Sequence, residues 1–171
     1  VVVSFGVLGM AGLQLTGMRH SAGGLERTRA LLFAENMAAR MRINAPGVAA
    51  GGYEDFDSGT WAGSCAVAPS PYCQASVGSD GDVIDAARCD TDELADFDLW
   101  SVVCGDRGVD GGGRAIGQGI VDTLPDGRLE IDCEAADCAL YTVTVRWSES
   151  DMRTAAGTPA ASKRVQLRLR P

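Results

Sequence analysis

The sequence predicts an α+β protein in which a long N-terminal helix packs on a small antiparallel sheet. Three observations predict it. Residues 1–18 are uncharged and mostly apolar, and a helical pattern continues beyond them as far as Pro46-Gly47. Tyr141–Trp147 and Val165–Leu169 alternate apolar and polar residues with the period of a half-buried strand. Six cysteines, Cys65, Cys73, Cys89, Cys104, Cys133 and Cys138, all lie after the first third of the chain. Two parts follow: an anchor or assembly helix over 1–45 and a disulfide-bonded α+β head over 46–171. With 171 residues the chain is long enough for one domain with a real core.

The helix comes first. The first charge is Arg19, so the uncharged run reaches the threshold for spanning a bilayer. It is not a complete secretory signal, because it lacks a basic leading region and a clear cleavage site. The chain starts without Met, so a processed or truncated product is expected, with an apolar segment longer in the native protein. Gly6, Gly9 and Gly12 recur at three-residue spacing, with Gly17 beyond. Glycine weakens a helix in water, but small residues let helices approach closely in an apolar environment. A plain membrane anchor and a helix that packs against similar helices both fit. Further on, Leu31, Ala34, Ala38 and Met41 share one stripe, with Arg29, Asn36 and Arg40 opposite. Ser21-Ala22-Gly23-Gly24 is expected to kink or loosen the helix. Continuous to Asn44, the helix would be ~65 Å long at ~1.5 Å per residue, too long for one small head. Its first half must bury apolar surface in lipid or among helices of other chains.

The head follows. Residues 47–90 are rich in Gly, Pro and Ser and carry no periodic pattern, so they read as loops tied by Cys65, Cys73 and Cys89. Asp90 with Glu93 has the spacing of a capping box, and Leu94, Phe97, Trp100 and Cys104 follow at helical spacing. This predicts a helix over 91–104. Gly105–Gly119 reads as a flexible loop, without the Gly-Lys-Ser/Thr or G-x-G-x-x-G of a phosphate site. Pro125-Asp126-Gly127 is a turn between Gly119–Leu124 and Arg128–Asp132. With Tyr141–Trp147 and Val165–Leu169 these segments give a sheet of three or four strands, one face of which packs on the second half of the helix.

Charge is unevenly spread. The net charge is −8, which argues against a nucleic-acid partner. Residues 19–42 hold five Arg against two Glu, whereas 53–110 hold thirteen acids against two Arg. The acidic middle reads as a solvated loop surface, with steering of a basic partner as the sharper alternative.

The even cysteine number without a C-x-x-C pair points to structural disulfides in an oxidising compartment, not to zinc or thioredoxin-like chemistry. Cys133 and Cys138 can close a short loop. Three pairings remain for the other four, and Cys65 with Cys73 and Cys89 with Cys104 is the expectation taken here.

No catalytic constellation is present. The one histidine, His20, lies at the end of the apolar run and reads as an interfacial polar residue. No G-x-S-x-G elbow occurs, and the acidic surroundings of most cysteines oppose thiolate formation. No cofactor is expected. Asp80, Asp82 and Asp85 have oxygens suited to calcium, as do Asp90, Asp92 and Asp96, but neither set fits an EF-hand loop. An acidic loop is the simpler reading. Tyr53 and Trp61 are either exposed contact residues or pins between the loops and the core.

Two segments carry a resemblance. Val-Val-Val-Ser-Phe-Gly-Val-Leu-Gly-Met-Ala-Gly-Leu-Gln at the start and Leu31–Asn44 resemble type IV pilins, most closely the PilV minor pilins. Weaker matches are Asp98-Leu99-Trp100, Leu124–Gly127 and Tyr141–Trp147. The resemblance covers the helix almost entirely and the head patchily. It implies the type IV pilin-like fold and a non-catalytic role in pilus assembly and priming, in a minor-pilin complex at the fibre tip that holds an adhesin. It also implies an inner-membrane precursor with its head in the periplasm, cut by a prepilin peptidase and methylated at its new N-terminus. About ten mature residues would precede Val1, including the family's assembly glutamate. The assembly surface would be Val3, Phe5, Gly6, Val7, Leu8, Gly9, Gly12 and Leu13, facing other pilins. Six cysteines and the Gly105–Gly119 stretch depart from the shorter family pattern. A pseudopilin of type II secretion shares the same helix physics, and a membrane-anchored periplasmic binding domain is the alternative of a different class.

Overall fold

The structure is a computed structural model that describes residues 2–77, 83–105, 118–134, 138–149 and 161–170. Helix α1 runs Val2–Ile43, and α2, Ala45–Ala49, follows after Asn44. Pro46 does not end the helical path, because it occupies the first turn of α2, where its missing N–H is not needed. The Asn44 side chain caps that turn by accepting from Gly47 N at 3.2 Å. Nor does the Ser21–Gly24 stretch interrupt α1, which is one helix of 42 residues.

The remaining elements are β1 Phe56–Asp57, β2 Ser76–Val77, β3 Val83–Ile84, α3 Thr91–Cys104, α4 Ile120–Thr123, β4 Arg128–Cys133, β5 Tyr141–Glu149 and β6 Ala161–Leu169. The main sheet has the order β1-β4-β5-β6, all antiparallel, and β2 and β3 form a separate two-stranded ribbon. The chain is therefore mixed α+β, with a long helix on a four-stranded antiparallel sheet. Two expectations change. The 47–90 region contributes an edge strand and a small ribbon, and Gly119–Leu124 forms a short helix, not a strand. The predicted 105–119 loop falls mostly outside the described residues.

Helix α3 forms where expected and for the expected reason. Asp90 Oδ1 accepts from Asp92 N and Glu93 N at 3.0 and 2.9 Å, and Glu93 Oε2 accepts from Asp90 N at 2.9 Å. Gly105 ends it at φ 102°, a conformation that a Cβ would strain. We expect Asp90→Ala to lower stability by ~1 kcal/mol, measured by urea unfolding, because two orphan N–H groups lose their acceptor.

The core lies between α1 and the inner face of the sheet. From α1 come Ala30, Ala34, Met37, Ala38 and Met41, all fully buried. From the sheet come Leu129, Ile131, Tyr141, Val143, Val145, Trp147 and Leu169. The buried stripe is thus rotated from the predicted one: Ala30 and Met37 take the place assigned to Leu31, which is exposed. Alanines at 30, 34 and 38 let α1 lie close to β5 and β6, which a Leu ridge would prevent. Helix α3 packs on α1, α2 and α4 and adds Phe97, Leu99, Trp100, Val102 and Val103 to the core.

Candidate functional site

The feature that sets this molecule apart from a plain α+β domain is the part of α1 that the head does not cover. No described side chain before Ala30 is buried. Residues 2–29 therefore extend ~42 Å beyond the gripped segment at ~1.5 Å per residue. Met10, Leu25, Leu31 and Leu32 are exposed apolar side chains along α1, Met10 to 66% and Leu32 to 58%. Val3, Phe5, Gly6, Val7, Leu8, Gly9, Gly12 and Leu13 all lie on the backbone of this segment. Among the described residues, no helix is long and apolar enough to cross a membrane.

The gripped segment is locked by a buried polar chain. Arg40 Nη1 donates to Asp98 Oδ1 at 2.8 Å, and Tyr53 Oη donates to Asp98 Oδ2 at 2.7 Å. Asn44 Nδ2 donates both to Tyr53 Oη at 3.0 Å and to the Thr91 carbonyl at 2.8 Å. Arg40 Nε donates to Asn36 Oδ1 at 2.8 Å. These bonds join α1, the start of α2, the following loop and α3. Arg40, expected on the solvent face with Arg29 and Asn36, instead reaches across to α3. Tyr53 is a pin, fully buried, and not an exposed contact residue.

Burial is the largest cause that drives the Tyr53 hydroxyl well above its ordinary ionisation range, followed by its hydrogen bond to the Asp98 carboxylate. Burial likewise raises Tyr141, whose hydroxyl lies 3.5 Å from Glu54 Oε1. Both states are protonated below pH ~10, so the contribution is fully present there. Above it the unfolded chain releases protons that the native state holds, and stability falls. Tyr53→Phe should reduce that alkaline slope by ~1.4 kcal/mol per pH unit, read from urea midpoints between about pH 10 and 11.5. An unchanged slope would show that Tyr53 ionises freely in the native protein.

The cysteines pair as Cys65–Cys104, Cys73–Cys89 and Cys133–Cys138. The first two replace the expected Cys65–Cys73 and Cys89–Cys104 bonds. Cys104 ends α3, which lies against the loop holding Cys65, and Trp100 Nε1 donates to Ser64 O at 3.3 Å beside it. Trp61 is half-buried and packs on the core, with its ring 5.8 Å from that of Phe56. Its indole lies directly over Gly63, where a Cβ would come within 2.0 Å of the ring. Trp61, Val67, Pro69, Leu99 and Trp100 line a shallow cavity of about 230 Å³ with Asp96 at its edge.

Of the calcium candidates, Asp80 and Asp82 lie outside the described residues, and Asp85 is exposed. Asp90 is committed to capping α3. Among the described residues no group of three or more His, Cys, Asp or Glu is placed to hold a metal ion. Sequence reading missed the Arg40–Asp98–Tyr53–Asn44 chain, whose members are polar residues without motif spacing. No family model matches the chain, and no curated protein or solved structure shows significant similarity to it.

Proposed function

We propose that this chain is a minor pilin-type subunit that takes part in type IV pilus assembly and priming. The observation that carries the reading is the uneven grip on α1: among the described residues the head buries α1 side chains only between Ala30 and Met41, and the preceding length carries exposed Met10 and Leu25. A projecting helix with apolar side chains and glycines at 6, 9 and 12 is built to be covered by something else. The head adds no catalytic step. It fixes the angle at which α1 leaves, through the Arg40–Asp98 bridge and the alanine stripe.

Before assembly, the helix rests in the inner membrane with the head in the periplasm. On entry to the fibre, neighbouring helices replace lipid around it, because exposing that surface to water costs about 25 cal/mol per Å². In the tip complex the head meets other minor pilins and a larger adhesin. The two-signal history of a cleaved leader and a methylated N-terminus belongs to the same reading.

The test is incorporation. In cells making the full precursor, Gly9→Asp or Val7→Asp should yield a stable membrane-associated subunit that is absent from sheared surface fibres. An unpaired carboxylate among packed helices is too costly to bury. Normal incorporation of both variants would overturn the proposal. Loss of type II secretion with intact pili would make the chain a pseudopilin. Activity independent of any prepilin peptidase would make it an anchored binding domain.

A further inference from the structure

The outer face of the sheet carries a row of like charges that the isolated subunit does not need. Strand register places Arg128 directly opposite Arg146, and Arg146 directly opposite Arg164. Three guanidinium-bearing residues therefore stand side by side across three strands, each pair of strands ~4.8 Å apart. Like charges directly opposite in a sheet destabilise it. Only Arg146 is offset, by Glu130 Oε2 at 2.7 Å; Arg128 and Arg164 make no ion pair among the described residues. A groove of about 340 Å³ opens beside Arg128 and Arg146, lined also by Glu130, Ser148 and Ser162, with Asp126 among its acidic members. In a chain of net charge −8, this concentration of positive charge is not the average surface.

The opposite imbalance sits on another element of the head. Asp92 and Asp96 are exposed on α3, one turn apart, and no salt bridge offsets either among the described residues. Like charges at that spacing repel. Partial burial first, and then the Asp92 charge, raise the pKa of the Asp96 carboxyl. Asp85 and Asp90 add further exposed carboxylates nearby in the chain. The arginine row lies on the sheet and the acidic pair on α3, separate elements that both pack on α1.

We infer that the arginine row of one subunit docks on the acidic face of α3 of a second copy, a heterologous head-to-tail contact. Each patch supplies the charge the other lacks, so the contact relieves both repulsions. Because the two patches lie on different elements, each docked pair presents a free patch of each sign, and the contact builds a ring or a filament according to the rotation between copies. Rim charges of this kind set register and speed of encounter. The inference concerns the head and does not rest on the pilus reading.

The full chain in a neutral detergent provides the test, by sedimentation velocity at about 20 mM and about 300 mM salt. Association should weaken at least about tenfold across that range, because exposed charges are screened within a Debye length. Association through α1 would be insensitive to this change, which separates the two sources. Arg128→Glu with Arg164→Glu should abolish the salt-sensitive component, and so should Asp92→Arg with Asp96→Arg. Mixing the two reversed proteins should restore it, which also shows that both are folded. A monomeric wild type at low salt, association indifferent to either reversal, or a mixture that fails to recover would each overturn the inference. Retention on an anionic polysaccharide resin without self-association would also overturn it, and would assign the row to a polyanion.

Discussion

Asp98→Ala is expected to destabilise the protein by about 3 kcal/mol, the low end of the range for breaking a buried ion pair by removing one partner. The Asp98 carboxylate is buried and accepts from both Arg40 and Tyr53. Removing it takes one acceptor from each of two donors. Arg40 retains its bond to Asn36, and its side chain is 18% exposed, so water can reach it. Tyr53 is fully enclosed; its hydroxyl still accepts from Asn44 but has nowhere to donate. That imbalance places the loss at about 3 kcal/mol and not at 5. Asp98→Asn keeps an acceptor and the shape, so it should lose about half as much. The paired replacement Arg40→Met with Asp98→Leu should recover much of the loss, because it removes the charges together. Urea unfolding measures all three, and a shift below about 1 kcal/mol for Asp98→Ala would show that the bridge does not hold α1 to α3.

The parts of this fold that local chemistry decides were legible in the sequence. Asp90 and Glu93 announce the start of α3, and Leu94, Phe97 and Trp100 mark its course. Tyr141–Trp147 and Val165–Leu169 alternate because one face of each strand is covered by α1. Features decided at long range were not legible. Strand β1 has two residues and exists because Phe56 and Asp57 lie along the free edge of β4. Ile120–Thr123 has the apolar content of a strand, but it packs on α1, α3 and β4 as one helical turn. The stripe on α1 was misplaced because hydrophobicity favours Leu31, whereas close approach to the sheet selects Ala30. For the candidate site, the projecting run and its glycines could be read directly. The lock could not, since Arg40 and Asp98 are 58 residues apart and Tyr53 and Asp98 are 45 apart.

The Cys65–Cys104 bond should matter most among the three disulfides, and its removal tests both stability and connectivity. It spans 39 residues, against 16 for Cys73–Cys89 and 5 for Cys133–Cys138. In the chain-entropy account, closing loops of those sizes is worth about 4, 3 and 2 kcal/mol respectively. The long bond also has a local role that the others lack. It holds the Ser64 carbonyl under the Trp100 indole and the Trp61 loop against the C-terminal end of α3. Cys65→Ser with Cys104→Ser should therefore lower stability by about 4 kcal/mol and change the tryptophan emission as Trp61 and Trp100 gain access to water. Cys133→Ser with Cys138→Ser should cost about 2 kcal/mol and leave that emission unchanged, because its loop lies at the far end of β4. Disulfide mapping by mass spectrometry of the unreduced protein decides between the arrangements. Peptides linking Cys65 to Cys73 would place both bonds within local loops. Cys65→Ser with Cys104→Ser would then break two bonds at once and leave Cys73 and Cys89 as free thiols, so its loss would exceed that of a single bond.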